Sequence, residues 1–348
     1  MFPTSERMSM KAAFVYGPRD LRVEEAPLPK LSRHEVLVRV KACGICYSDV
    51  RFYLGLKKYR QTTFGRSSPG FTGHEWSGEV VEVGGDVSSI SIGDRIVPNI
   101  IIPCGKCKPC RQGRVNLCPN KIFTHGGFAE YVKAPAENLL RIPNGLSFEE
   151  AAMTEPLACC LNAISRSDIR KNSDVIVIGD GFMGLLNMQL ARLSGGKVIV
   201  VGHHDERLKI AEMLGAYRVI NSRKVNPIEE IRKDFPDGAD LVIAAVGNRD
   251  AIELAVKLVG IGGTINIFAG TYPPVKIPLD INLIHYNEII FTGSNVALPE
   301  HFEKALEILA SRRVDVRTLI THRFKLEEIS MAFEAVEKRK VIKAVIVP

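Results

Sequence analysis

Two textures divide the chain. Up to about residue 148, apolar and polar positions alternate. Lys11–Tyr16 and Glu35–Lys41, the latter reading Glu-Val-Leu-Val-Arg-Val-Lys, have the two-residue period of half-buried strands. Glu79–Val83 and Arg95–Ile102 continue the pattern, with Gly84-Gly85-Asp86 and Gly93-Asp94 as turn signals. No helix of ordinary length is expected before residue 148, so this part reads as a compact β domain with long loops.

Beyond residue 150, strands and helices alternate. Ser147-Phe148-Glu149-Glu150 has the capping-box form of a helix start. Strands are expected at Asp174–Ile178, Lys197–Val201, Arg218–Ile220, Asp240–Ala244, Thr264–Phe268 and Glu288–Thr292. Helices are expected at Phe182–Leu193, Asp205–Leu214, Ile228–Lys233 and Asp250–Val259. Such alternation predicts βαβ units on a parallel sheet. Glu300–Ser311 and Leu326–Lys338 read as amphipathic helices, and the apolar tail Lys340–Val347 reads as a strand in need of a partner.

Composition narrows the function classes. The 348 residues allow about two domains, and 46% hydrophobic with 24% charged residues is ordinary for a globular chain. No run approaches the roughly 18 apolar residues of a membrane span. The net charge of +7 is spread among acidic residues rather than gathered in a stripe, which argues against nucleic acid and suits an anionic cofactor. The leader is short and polar, without the apolar core of a signal peptide, and the cysteine usage fits metal-bound thiolates. A reducing cytoplasm is the resulting expectation.

Gly179-Asp180-Gly181-Phe182-Met183-Gly184 fits the dinucleotide fingerprint and stands between a predicted strand and a predicted helix. The glycines allow a tight turn, close approach of a pyrophosphate and close helix–strand packing, while the helix N-terminus attracts phosphate. At the end of the second strand, where an NAD site carries Asp or Glu, the chain has Gly202-His203-His204-Asp205-Glu206-Arg207. Loss of that carboxylate removes repulsion of a 2′-phosphate, and His203, His204, Arg207 or Arg223 could contact it. The expectation is NADP over NAD, with Asp205 as the cap of the next helix.

The cysteines carry further chemistry. Cys104-x2-Cys107-x2-Cys110-x7-Cys118 suits a closed tetrahedral zinc site that staples a loop. An iron–sulfur cluster is the alternative, but the seven-residue gap and the lack of a second cysteine cluster argue against it. A dispersed set, Cys46, His74, Glu75 and Glu155, could hold a zinc with an open position, although spacing alone does not bring these residues together.

Taken together, the motifs resemble the zinc-dependent medium-chain dehydrogenase/reductase family, over nearly the whole chain. Gly73-His74-Glu75-x2-Gly78-x5-Gly84 is similar to its zinc-binding signature, and Gly44-Ile45-Cys46-x-Ser48-Asp49 to its first-ligand motif. Gly126-Gly127-Phe128-Ala129-Glu130-Tyr131, Gly93-Asp94-Arg95-Ile96 and the four-cysteine lobe resemble other landmarks. The resemblance implies an α/β two-domain fold. A GroES-like β-rich catalytic domain would span 1–157, a Rossmann doubly wound parallel sheet 158–294, and a segment at 295–348 would return to the catalytic domain.

By the same resemblance each chain would hold two zinc ions, one catalytic and one structural. Cys46 and His74 would be ligands of the catalytic zinc. Glu155 would stand at the zinc as in polyol-type members, Glu75 would be a ligand or exchange with water, and Asp49 would orient a ligand. Cys43, Cys159 and Cys160 would be packing residues. Ser48 would pass the substrate's proton. The family's relay histidine is replaced by Arg51, which stays protonated, so the relay would end in water or Arg51 would hold a phosphate. The implied reaction moves a hydride between a secondary alcohol, best a polyol, and a nicotinamide cofactor. Arg323 in Thr321-His322-Arg323-Phe324 is a substrate-contact candidate or a salt-bridge residue. L-Threonine and sugar-phosphate alcohols are alternative substrates, and a non-catalytic dinucleotide-binding protein is the alternative from another class. A homodimer or homotetramer is the implied assembly.

Overall fold

The computed structural model describes residues 9–57 and 65–348. The chain divides into two compact units. One holds the described residues up to 156 together with 298–312 and 316–348; the other holds 157–297 with 313–315.

In the first unit a seven-stranded sheet runs in the order Ile320–Lys325, Lys343–Val347, Glu35–Gly44, Glu75–Val83, Arg95–Pro98, Leu139–Arg141, with Tyr131–Pro135 also paired to Glu35–Gly44. The apolar tail finds its partner here. Lys343–Val347 lies antiparallel to Glu35–Gly44, with Val345 opposite Gly44 and Ile346 opposite Cys43. Val36, Val38 and Val40 point into the core with Trp76, Phe128 and Phe333. Phe333 packs on Phe71 and Phe128, each with ring centroids 5.6 Å away, so residues far apart in sequence share one core.

The expected strands are found, with altered limits. The strand predicted from Glu79 begins at Glu75, and Arg95–Ile102 splits into Arg95–Pro98 and Ile101–Ile102. Pro98 has no N–H to continue the ladder. The hairpin of Ser9–Gly17 with Asp20–Pro27 was only half expected, since Asp20–Pro27 carries adjacent acidic residues and no clean alternation. The short helix Tyr47–Tyr53 was not expected.

The predicted capping box forms: Ser147 Oγ accepts from Glu150 N, and Glu150 Oε2 accepts from Ser147 N at 3.0 Å. The same buried carboxylate accepts from Arg312 Nη1 at 3.3 Å and pairs with Arg317, tying the helix to the later part of the unit.

The second unit is a six-stranded parallel sheet in the order Arg218–Asn221, Lys197–Gly202, Asp174–Ile178, Ala239–Ala244, Val259–Ile267, Ile290–Gly293. This is the strand order 3-2-1-4-5-6 of a Rossmann sheet. The central strands are continuous apolar runs because both faces are covered: Val175, Ile176 and Val177 are fully buried. Val259–Ile267 begins five residues before the expected Thr264, because Val259 already pairs with Ala239. Asp205 is not the helix cap. His204 holds the N-cap position, and Asp205 opens the helix and accepts from Asn221 Nδ2 and Lys224 Nζ, each at 2.7 Å. Among the described residues, no helix is long and apolar enough to cross a membrane.

Burial alone would raise the pKa of Glu150, but Arg317 and the Ser147 donors hold it below the usual carboxylate range. Its contribution to stability is therefore present above the unfolded value of about 4.3 and fades as pH falls through the lower folded value. Glu150→Gln is expected to cost about 1–2 kcal/mol near neutral pH, discounted because the arginine heads are solvated. Denaturant titrations of both proteins between about pH 3 and 7 should converge at the acid end. Parallel curves would refute the assignment.

Candidate active site

Cys46 follows the strand Glu35–Gly44 and occupies the N-cap position of Tyr47–Tyr53. Asp49, fully buried in the first turn, turns back to accept from Cys46 N at 2.9 Å and faces His74 Nδ1 at 3.3 Å. His74 Nδ1 is also 2.7 Å from Thr72 O, so the ring is held on that side. Glu75, the next residue, opens Glu75–Val83. The ligand atoms of Cys46, His74 and Glu75 all lie within 4.8 Å of one another. The dispersed motifs thus meet, and strand pairing brings them together: Gly44 is opposite Glu75 in the antiparallel register.

Glu155, in the first turn of Thr154–Ser165, is buried and does not belong to the three-donor cluster. Its charge is nevertheless felt there. Burial alone would lower the pKa of His74, but Asp49 first, then Cys46 and Glu155, raise it well above the ordinary value. A thiol, an imidazole and buried carboxylates in one place are a donor set that fits a zinc ion with an open coordination position. Ser48 is half-buried at the second position of the helix, and the Arg51 guanidinium lies 5.5 Å from the Tyr47 ring centroid.

The sequence reading missed Lys343. It is 4% exposed, forms an ion pair with Glu75, which is 1% exposed, and donates to Ile45 O at 3.1 Å. Burial would lower its pKa, but Glu75 and Cys46 raise it, so it stays charged. Gly44 makes room for the pair: a Cβ there would fall 2.1 Å from Glu75 Oε2 and 3.0 Å from Lys343 Cε. The available signal was a lysine heading an apolar strand. His125 was also passed over. It is half-buried, and burial and the charge of His74 lower its pKa. Arg323 takes the salt-bridge alternative, donating to both oxygens of Glu149 at 2.8 and 2.9 Å.

The four cysteines of the lobe also converge, with all sulfur atoms within 4.8 Å and Cys107 Sγ 3.3 Å from Cys110 Sγ. Backbone N–H groups of Lys106 and Cys107 bring the Cys104 thiol down to about 6. Four thiols with no disulfide among them fit a closed zinc site. Cys43 and Cys160 are buried and Cys159 partly so.

In the second unit, Gly179 follows Asp174–Ile178 with φ +128°, Gly181 is the N-cap of Phe182–Leu193, and Phe182 and Met183 form the first turn. Gly184 packs against Gly179, where a Cβ would lie 1.9 Å from Gly179 O. Asp180 was read only as a variable position, yet it is 4% exposed and reaches to the end of Lys197–Gly202. Its Oδ2 accepts from His203 N and His204 N, both at 2.8 Å, and from His204 Nδ1 at 3.0 Å. Burial would raise its pKa, but these donors hold it below the usual range. Asp180, His203 and His204 come close enough to be counted as a metal-type cluster, but they form an internally hydrogen-bonded cap. Arg207 is half-buried on the following helix.

Lys343→Met leaves Glu75 as an unpaired buried charge and is expected to cost about 3–5 kcal/mol in denaturant unfolding. The double variant Lys343→Met/Glu75→Gln should recover part of that loss. Strict additivity would refute the pairing.

Residues 32–144 match the family model "Alcohol dehydrogenase GroES-like domain", and residues 183–311 match "Zinc-binding dehydrogenase". The chain is 34% identical to the sorbitol dehydrogenase of Bacillus subtilis over 337 residues, covering 94% of this chain and 93% of that one. It is 32% identical to the L-threonine 3-dehydrogenase of Bacillus licheniformis over 338 residues, covering 93% and 94%. A solved zinc-binding dehydrogenase from Sinorhizobium meliloti bound to NADP is 31% identical, with a TM-score of 0.92 over 98% of this chain and 100% of that one. With its two units and both family models matched, the chain belongs to the zinc-dependent medium-chain dehydrogenase/reductase family and is an oxidoreductase of its zinc-type alcohol dehydrogenase kind.

Proposed function

We propose that this enzyme interconverts a secondary alcohol, best a polyol or sugar alcohol, with its ketone. The observation that carries the reading is the convergence of Cys46, His74 and Glu75, with Glu155 close enough for its charge to bear on the site. Cys46, His74 and Glu75 would hold the catalytic zinc, with Glu155 beside it, and the four-cysteine lobe would hold a second zinc. Bound zinc supplies Lewis acidity toward an alcohol or carbonyl oxygen, and the nicotinamide supplies the hydride acceptor or donor.

The protein's own residues do the rest. Ser48 takes the hydroxyl proton and passes it to water. Arg51 cannot accept it, since guanidinium stays protonated, and instead serves anion binding. Asp49 holds His74 and Cys46 in place, and Lys343 balances the charge of Glu75. Glu155-Pro156 and the likeness to sorbitol dehydrogenase support a polyol. The likeness to a threonine dehydrogenase supports L-threonine as the second reading, and Arg51 supports a sugar-phosphate alcohol.

On Gly202, His203, His204 and Arg207 alone the cofactor would be NADP, as in the Sinorhizobium neighbour. The carboxylate that Asp180 brings to the same place changes that balance. Assembly as a homodimer or homotetramer is supported by the edge strand Ile290–Gly293, where Ile290 is 56% exposed, with Tyr286 exposed just before it.

Metal analysis is expected to find about two zinc ions per chain. Removing zinc with a chelator should abolish alcohol oxidation, and unchanged rates in verified metal-free protein would refute the mechanism. Initial rates with sorbitol-type polyols, sugar phosphates and L-threonine separate the substrate readings. Oxidation of threonine without polyol activity would overturn the first of them.

A further inference from the structure

We propose that Asp180 has taken over the ribose-reading role of the strand-end carboxylate, and that this enzyme therefore prefers NAD to NADP. The proposal rests on the reading of the second unit as a nicotinamide-dinucleotide site. In such a sheet an acidic side chain at the end of the second strand accepts from the ribose hydroxyls and opposes a 2′-phosphate. Here that position is Gly202, and it is glycine for a steric reason. A Cβ at Gly202 would lie 2.5 Å from Asp180 Cβ and 2.5 Å from Asp180 Oδ2. The space where an acidic side chain of residue 202 would begin is already filled by a carboxylate.

The sheet register makes the exchange possible. Asp174–Ile178 and Lys197–Gly202 are parallel neighbours, with Ile178 opposite Val201. Residues just past the two strand ends therefore stand side by side. The carboxylate has moved from the end of one strand to the turn that follows its neighbour.

The hydrogen bonds carry the argument further. A 2′-phosphate needs donors, and the strand end offers the N–H groups of His203 and His204 and the Nδ1 of His204. All three are engaged by Asp180 Oδ2, at 2.8, 2.8 and 3.0 Å. A phosphate would have to displace a buried carboxylate from its donors or sit beside it, and like charges close together in a poorly solvated place repel strongly. Asp180 Oδ1, by contrast, faces only His204 Nδ1 among the described residues, at 3.1 Å, and keeps acceptor capacity suited to a ribose hydroxyl.

The test is equilibrium binding of NAD and NADP to the zinc-loaded protein by titration calorimetry. It compares wild type, Asp180→Asn, which keeps an acceptor for the backbone N–H groups but removes the charge, and Asp180→Ser, which keeps a shorter acceptor. Wild type is expected to bind NAD at least about tenfold more tightly than NADP, and Asp180→Asn should shift the ratio toward NADP by about tenfold or more. Should Asp180→Asn not give folded protein, Asp180→Ser is read in the same way, with melting curves as the check of folding. Tighter binding of NADP by wild type overturns the proposal. A ratio unmoved by the variants also overturns it, while leaving the dinucleotide reading intact. If neither dinucleotide binds wild type, that reading falls and the proposal falls with it.

Discussion

A pair of opposite charges buried at the head of two strands is the constraint around which the first unit is arranged. Glu75 sits at the start of Glu75–Val83, and Lys343 at the start of Lys343–Val347. Both lie against Glu35–Gly44, on opposite sides of it. Neither charge is tolerable alone in that place, so the pair requires both outer strands in register at once. Gly44 is the hinge of this arrangement, because any side chain there would enter the space the pair occupies. Cys46 and His74 each follow or adjoin one of these positions by a residue or two. The strand register that neutralises Lys343 and Glu75 is therefore the same register that gathers the donor set.

The second unit solves a related problem with hydrogen bonds rather than an opposite charge. Asp180 is largely buried, and it is kept ionised by backbone donors of the following strand's exit and by His204. One carboxylate thus fixes the path of the chain out of Lys197–Gly202 and sets the local field around it. Both units place an acidic group where two strands end side by side, and in both a glycine gives up its side-chain space to admit it.

Much of this was legible in the sequence, for physical reasons that differ by region. The parallel strands of the Rossmann sheet are buried on both faces, so they appear as short apolar runs with clear limits; Asp174–Ile178 was read without error. Val259–Ile267 was read too short because Gly260, Gly262 and Gly263 look like turn residues; they form an irregular stretch between the Ala239–Val259 and Leu241–Thr264 pairs, with backbones approaching closely at Gly260 and Gly263 and a φ of +71° at Gly262. The metal-type motifs were visible as residue types at characteristic spacings, but their meeting depends on antiparallel pairing that spacing cannot express. Lys343 and Asp180 were missed because each is ordinary in its local window. One is a lysine beside an apolar run and the other a variable residue in a glycine motif. What makes them special is a neighbour distant in sequence: 268 positions separate Glu75 from Lys343, and the His203 contact of Asp180 is 23 residues away.

The distribution of the first unit along the chain bears on how the protein comes into being. Residues 157–297 leave the ribosome as a nearly continuous stretch and hold a complete six-stranded sheet, so that unit can acquire its structure while synthesis continues. The other unit has no such opportunity. Until residues 343–347 are made, Glu75 lacks its counter-charge and Glu35–Gly44 lacks one of its neighbours. The dinucleotide-type unit is thus available for folding early, while the donor cluster of Cys46, His74 and Glu75 gains the counter-charge of its carboxylate only with the final strand.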